Sequence, residues 1–202
     1  MTPYTDKALE ADLRHALDVG DPERIGTLAR QVDQRDKARK AVPLFAAALW
    51  FAENGLPIFP LQPLSKIPMK GSRGCHDATT DTDRVRAWWA ATPDANIGLA
   101  TGHLVDVVDI DGPLGQASRV EHWDDTFARI DVDSLAKVLT PRRAGMHIYL
   151  PATGLKNNAG IAPGIDVRGI GGYVVAPPSR TEVGAYRFLG DALALVGLAA
   201  TA

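Results

Sequence analysis

The 202-residue chain has one cysteine, Cys75, which excludes an internal disulfide and any zinc site built on paired cysteines. Such usage fits a reducing compartment. No apolar run approaches the ~18 residues of a membrane span, and Met1–Asp6 has neither the basic nor the apolar region of a secretory leader. Internal repeats, low-complexity tracts and a clear linker are also missing, as is the P-loop pattern Gly-x-x-x-x-Gly-Lys-Ser/Thr. Neither sign of charge dominates, with a formal net charge of −2. What remains is ordinary globular composition, 46% apolar and 23% charged, which argues against disorder. The reading is a soluble, cytoplasmic protein of one large domain or two small ones.

The near-neutral total conceals a segregation. Between His103 and Leu135 the acids Asp106, Asp109, Asp111, Glu121, Asp124, Asp125, Asp131 and Asp133 face only Arg119 and Arg129. From Thr140 to Gly190 the balance reverses, with Arg142, Arg143, Lys156, Arg168, Arg180 and Arg187 against Asp166 and Glu182. Charge alone fits two solvated faces of opposite sign; it also suits a site that holds cations and polyanions together.

Helical spacing of Leu9, Leu13, Ala16 and Leu17, then of Ile25, Leu28, Ala29 and Val32, predicts two helices within residues 5–40. Asp21-Pro22 opens the second, and a basic end, Arg35 to Lys40, closes it. The pair reads as a peripheral hairpin rather than a DNA-touching arm. An apolar helix over 44–53 stops at Asn54-Gly55, and an edge strand follows over 56–61. Thr80 and Asp83 resemble a capping box for a helix through Trp88-Trp89, a pair read as core rather than as a base-stacking platform. Strands are expected at 96–100, 103–111, 146–150, 165–168 and 173–176, the last two joined as a hairpin by Gly169-Ile170-Gly171-Gly172. Helices are expected over 115–138 and 191–200. Helices mixed with hairpins predict an α+β fold rather than a doubly wound parallel sheet.

Three strands carry residues that suggest chemistry. On the strand ending Val105-Asp106-Val107-Val108-Asp109-Ile110-Asp111, alternate side chains share a face about 6.6 Å apart. Two valines there lead into two carboxylates, Asp109 and Asp111. Such a pair fits either a capped strand end or a hard divalent cation that removes the repulsion. His147 alternates with Met146 and Ile148, just after Arg142 and Arg143, so it suits either a structural role or a phosphate contact. Asp166 and Arg168 share one strand face, as a salt bridge or as a third acid for a two-metal site.

Taken in order, Gly55-Leu56-Pro57-Ile58-Phe59-Pro60-Leu61, Ser65-Lys66-Ile67-Pro68, Asp77-Ala78-Thr79-Thr80-Asp81, Trp88-Trp89, Asn96-Ile97-Gly98 and Thr101-Gly102 begin a longer series. Val108-Asp109-Ile110-Asp111, Gly145-Met146-His147-Ile148-Tyr149, Gly164 to Gly169, and Gly171 to Ser179 complete it. Over roughly residues 44–190 this series resembles the bifunctional primase–polymerase domain of the archaeo-eukaryotic primase superfamily, found in replication proteins of phages, plasmids and integrated elements. The resemblance implies a two-part catalytic domain with an RNA-recognition-like sheet (43–190); the helical N-terminal extension (1–42), which stays unassigned, and the C-terminal helix (191–202) are read from the sequence pattern outside it.

It also implies template-directed nucleotidyl transfer on single-stranded DNA with nucleoside triphosphates. Asp109, Asp111 and Asp166 would be the catalytic acids holding Mg²⁺ or Mn²⁺, and His147 the nucleotide-binding histidine. Lys66 and Arg168 would contact triphosphate or template, and Arg142 and Arg143, read from their place just before His147, would neutralise further phosphate charge. Unwinding would call for a separate helicase or a further segment. One departure is Ala144, which stands where the family pattern has glycine. Two other readings stay open: a nucleotide- or DNA-binding module without catalysis, and a metal-dependent phosphoesterase.

Overall fold

A computed structural model describes residues 7–38, 42–127, 135–189 and 192–199. The expected basic helix end at Arg39-Lys40, the stretch 128–134 of the expected long helix, and the ends Asp191 and Ala200 of the last helix lie outside these residues. Helices α1 (Lys7–Asp18), α2 (Pro22–Ala38) and α3 (Leu44–Glu53) precede strand β1 (Ile58–Leu61). A short 3-10 turn (Gly74–Asp77), α4 (Thr82–Ala91), β2 (Asn96–Ala100), β3 (Val105–Ile110) and α5 (Gly112–Phe127) follow. Then come β4 (Lys137–Leu139), β5 (Met146–Pro151), β6 (Asn158–Ala162), β7 (Ile165–Arg168) and β8 (Tyr173–Ala176). The chain ends with β9 (Arg180–Thr181), β10 (Gly184–Ala185), β11 (Arg187–Leu189) and α6 (Leu193–Ala199). Helices and antiparallel strands in this mixture make the fold α+β.

Local chemistry accounts for the helix starts. Asp21 accepts hydrogen bonds from the amides of Glu23 and Arg24, both at 3.0 Å, with Pro22 in the first helical position where no amide is needed. At α4 the cap is Asp81, whose carboxylate accepts from the Asp83 and Arg84 amides, in place of the Thr80 box expected from sequence. Asp81 lies directly before the first helical residue and so reaches the orphan amides, which Thr80 is one residue too early to do.

Three strands form one sheet in the order β1-β2-β8, and six form another in the order β11-β4-β5-β3-β7-β6. The first core cluster lies between them. Val105, Val107, Val138 and Tyr149 of the larger sheet meet Phe59, Ile97, Leu99, Val174 and Val175 of the smaller one, with Phe51 of α3 and Trp89 of α4 packed alongside. Trp89 is core, as expected, and its indole donates to the Ala95 carbonyl at 3.0 Å. The second cluster covers the other face of the large sheet. There Val108, Ile110, Met146, Ile148 and Ile165 pack on Leu13 and Ala16 of α1 and Ile25 and Leu28 of α2. Strict alternation along β3 is what divides these residues, because successive side chains enter opposite cores.

Two expectations are corrected. The strands β7 and β8 do not form a hairpin: β7 pairs with β3 and β6, whereas β8 pairs with β2 in the other sheet. The glycines between them do make a tight turn, with the Gly172 amide donating to the Gly169 carbonyl at 2.9 Å and Gly171 at φ +81°, but the turn leads across to the other sheet. Thr101 donates its hydroxyl to the Gly169 carbonyl at 2.8 Å, and its amide bonds Gly172 at 3.1 Å. Next to it, Gly102 has φ +87°, and a Cβ there would stand 2.2 Å from the Ile170 Cα. Gly102→Ala is therefore expected to cost at least about 2 kcal/mol, read as a lowered denaturant midpoint with unchanged slope. The second correction concerns 115–138, expected as one helix. Helix α5 ends at Phe127 within the described residues, and Lys137–Leu139 is strand, paired with β5 and β11. The short strands β6, β9, β10 and β11 were not expected.

Among the described residues no helix is long and apolar enough to cross a membrane.

Candidate active site

Strand β3 lies between β5 and β7, and the register sets three polar residues in one row. Asp109 is the Cα partner of His147 on one side and of Asp166 on the other. Arg168, two residues beyond Asp166, stands opposite Val107. The row belongs to the face that Val105 and Val107 present to the first core, so it emerges where the apolar packing between the sheets gives out.

Arg168 ties the row together. Its Nη2 donates to Asp166 Oδ2 at 2.6 Å and to Asp109 Oδ2 at 3.5 Å. The other Asp166 oxygen accepts from the Gly160 amide at 2.7 Å. His147 Nε2 stands 3.6 Å from Asp109 Oδ1, beyond a hydrogen bond, while its buried Nδ1 has no partner among the described residues. Burial raises the Asp109 pKa, against the lowering influence of Arg168 and Lys66. For His147, burial and then the positive charges of Lys66 and Arg168 push the pKa down to about 3, so the ring is neutral at ordinary pH.

These groups floor a cleft of about 240 Å³ between the two sheets. Lys66, from the loop after β1, and Arg168 supply positive charge, while Gly171, Gly172 and Tyr173 form part of the opposite wall. Tyr186 adds an aromatic side: its ring centroid is 5.6 Å from that of His147, and Lys66 Nζ lies 5.9 Å above it. The Tyr173 hydroxyl donates to the Lys66 carbonyl at 3.1 Å, fixing the loop that carries the lysine.

The fold thus brings together Lys66, Asp109, His147 and Arg168 at the cleft, with Asp166 behind Arg168. Asp111 lies just past the end of β3, where its Oδ1 meets Arg142 Nη1 at 2.9 Å. Arg142 and Arg143 do not line the cleft; they line a second groove, and Arg143 is bonded to Glu23. Between Arg143 and Gly145, Ala144 adopts φ +56°, the left-handed conformation that glycine takes most readily, at the position where the family pattern has glycine. Asn157, Tyr173 and Tyr186 went unassigned in the sequence. Tyr173 follows the quoted Gly171-Gly172 pair, but Asn157 and Tyr186 carry no local pattern that could have marked them.

Among the described residues, no three His, Cys, Asp or Glu side chains are grouped to chelate a metal. Arg168 between Asp109 and Asp166, and Arg142 on Asp111, supply the positive charge there. The donor chemistry nonetheless fits a hard divalent cation, since the acids offer only carboxylate oxygens and the Arg168–Asp109 contact, at 3.5 Å, is the loosest of the set.

The cleft thus sets one carboxylate, Asp109, beside Lys66 and Arg168 between two antiparallel sheets of an α+β fold. The chain belongs to the bifunctional DNA primase/polymerase, N-terminal family (Prim-Pol), whose model matches residues 48–200. Membership points to DNA primase/polymerase-type function and nucleotidyltransferase-type chemistry, with nucleotides and DNA as the substrates and divalent metal as the usual cofactor. No curated protein matches the chain.

Proposed function

We propose that the chain catalyses template-directed nucleotidyl transfer on single-stranded DNA, with the cleft between the sheets holding the incoming nucleoside triphosphate. The observation that carries this is the row Asp166–Asp109–His147 across three adjacent strands, flanked by Lys66 and Arg168, in a chain of this family. A two-part, primase-like catalytic domain is the matching fold, its acids borne by the six-stranded sheet.

Asp109, Asp166 and Asp111 would hold Mg²⁺ or Mn²⁺. Such ions supply activation of the 3′-hydroxyl and charge stabilisation on the leaving pyrophosphate. Lys66 and Arg168 neutralise phosphate oxygens and align the triphosphate over the acids. Once Arg168 turns from Asp109 to phosphate, it exchanges one anion for another and stays paired. His147, neutral, donates one ring N–H to a phosphate oxygen without adding charge. Tyr186 and Tyr173 present flat apolar surface to base or sugar.

The arginine pairing of all three acids supports a second reading, a nucleotide- or DNA-binding module that does not turn over. Labelled nucleotides, Mn²⁺ and a primed single-stranded template separate the possibilities. Lengthened primer supports transfer; binding without product supports the inactive module; shortened template supports a phosphoesterase and rejects both. Lys66→Ala is expected to raise the KM for nucleotide about tenfold with kcat changed less than threefold, since its charge contacts phosphate in ground and transition states alike. Steady-state kinetics at fixed template checks the split.

A further inference from the structure

We infer that a second groove, partly built by α2, holds the phosphate backbone of the single-stranded DNA; this deepens the polymerase reading and rests on it for the choice of DNA. The groove measures about 270 Å³ and draws on α2, on the turn between β4 and β5, and on β10 and β11. Arg30, Arg142, Arg143 and Arg187 line it, and among the described residues no acidic side chain does. Glu23 pairs with Arg143 and Asp111 with Arg142, in contacts whose side chains are 43–82% exposed. Exposed pairs of this kind are weak, so a phosphate can replace the carboxylate at little cost. Guanidinium forks suit phosphate better than a point charge does.

Two further features favour a strand of nucleic acid. The groove adjoins the cleft, because Arg142 reaches Asp111, two residues from Asp109. A template leaving the reacting end therefore meets arginine at once. At the other side, a Cβ at Gly26 would lie 3.3 Å from Arg143 Cγ. Glycine is a poor helix residue, yet here it lets the arginine lie across α2 and keeps the groove open. The α2 portion lies outside the matched residues 48–200, so this surface is assembled from both parts of the chain.

Fluorescence anisotropy of a labelled oligothymidylate with the full chain, at several salt concentrations, tests the assignment. Arg30→Glu is expected to weaken binding about tenfold and to reduce the salt slope by about 1. Arg30→Gln, which retains a hydrogen-bonding side chain on the exposed face of α2, is expected to weaken it about threefold and serves if the charge reversal unfolds the protein. Arg86→Glu, on α4 against the smaller sheet, is the control and should leave affinity within twofold. Unchanged affinity in both Arg30 variants, or an equal loss in Arg86→Glu, would overturn the assignment. Since anisotropy needs no chemistry, primer extension by the wild type with an unaffected Arg30→Glu rejects the groove alone. Groove-dependent DNA binding without extension under any metal condition rejects the polymerase reading alone.

Discussion

Replacing Asp109 by asparagine is expected to lower the rate of nucleotide addition about a thousand-fold, roughly 4 kcal/mol of transition-state stabilisation. Asp109 is the central acid: it is the Cα partner of both His147 and Asp166, and its carboxylate contacts Arg168. The amide keeps the shape but removes the charge that a divalent cation requires. Stability should change little or rise, because burial already disfavours this carboxylate and Arg168 retains Asp166. Primer extension at matched Mn²⁺, with thermal unfolding as the folding check, decides the matter. Extension within tenfold of the wild type by a folded variant would remove Asp109 from the chemistry.

Acid should destabilise the metal-free protein through His147. With a pKa of about 3 in the folded state against 6.5 unfolded, the folded chain binds fewer protons between those values. The resulting stability is fully present above pH 6.5 and is lost as the pH falls toward 3, by at most on the order of 4–5 kcal/mol. Asp109 works in the opposite direction, since a raised carboxyl pKa favours the folded state as it protonates. The clean measurement is therefore a difference. Urea unfolding of wild type and His147→Gln in chelator, at pH 7 and pH 4, should show the wild type losing more stability on acidification. Parallel losses would mean that the ring gains a proton without unfolding.

Alternation along β3 could be read directly, and with it much of the site. A strand has period two, so the valines that enter the core also fix the direction of Asp109. The same logic set His147 apart from Met146 and Ile148. Other features depended on distant parts of the chain. Gly169 to Gly172 looks like a hairpin turn by local rules, and only the bonds from Thr101 and the close approach of Gly102 convert it to a crossover. Strand β4 is three residues long, too short for its period to stand out beside the apparent helix before it. Arg142 and Arg143 sit next to His147 in sequence, yet the left-handed Ala144 turns them toward α2 and away from the cleft. Tyr186 comes near His147 through a strand pairing at the far edge of the sheet, which no spacing announces.

The large sheet has two unequal sides. One bears the acids; the other is covered by α1 and α2, upstream of the segment matched by the family, together with α5 within it. Exchanging the α1–α2 part of that covering would therefore act on the packing of Val108, Ile110 and Ile148 and leave the row of Asp109, His147 and Asp166 on the opposite face in place.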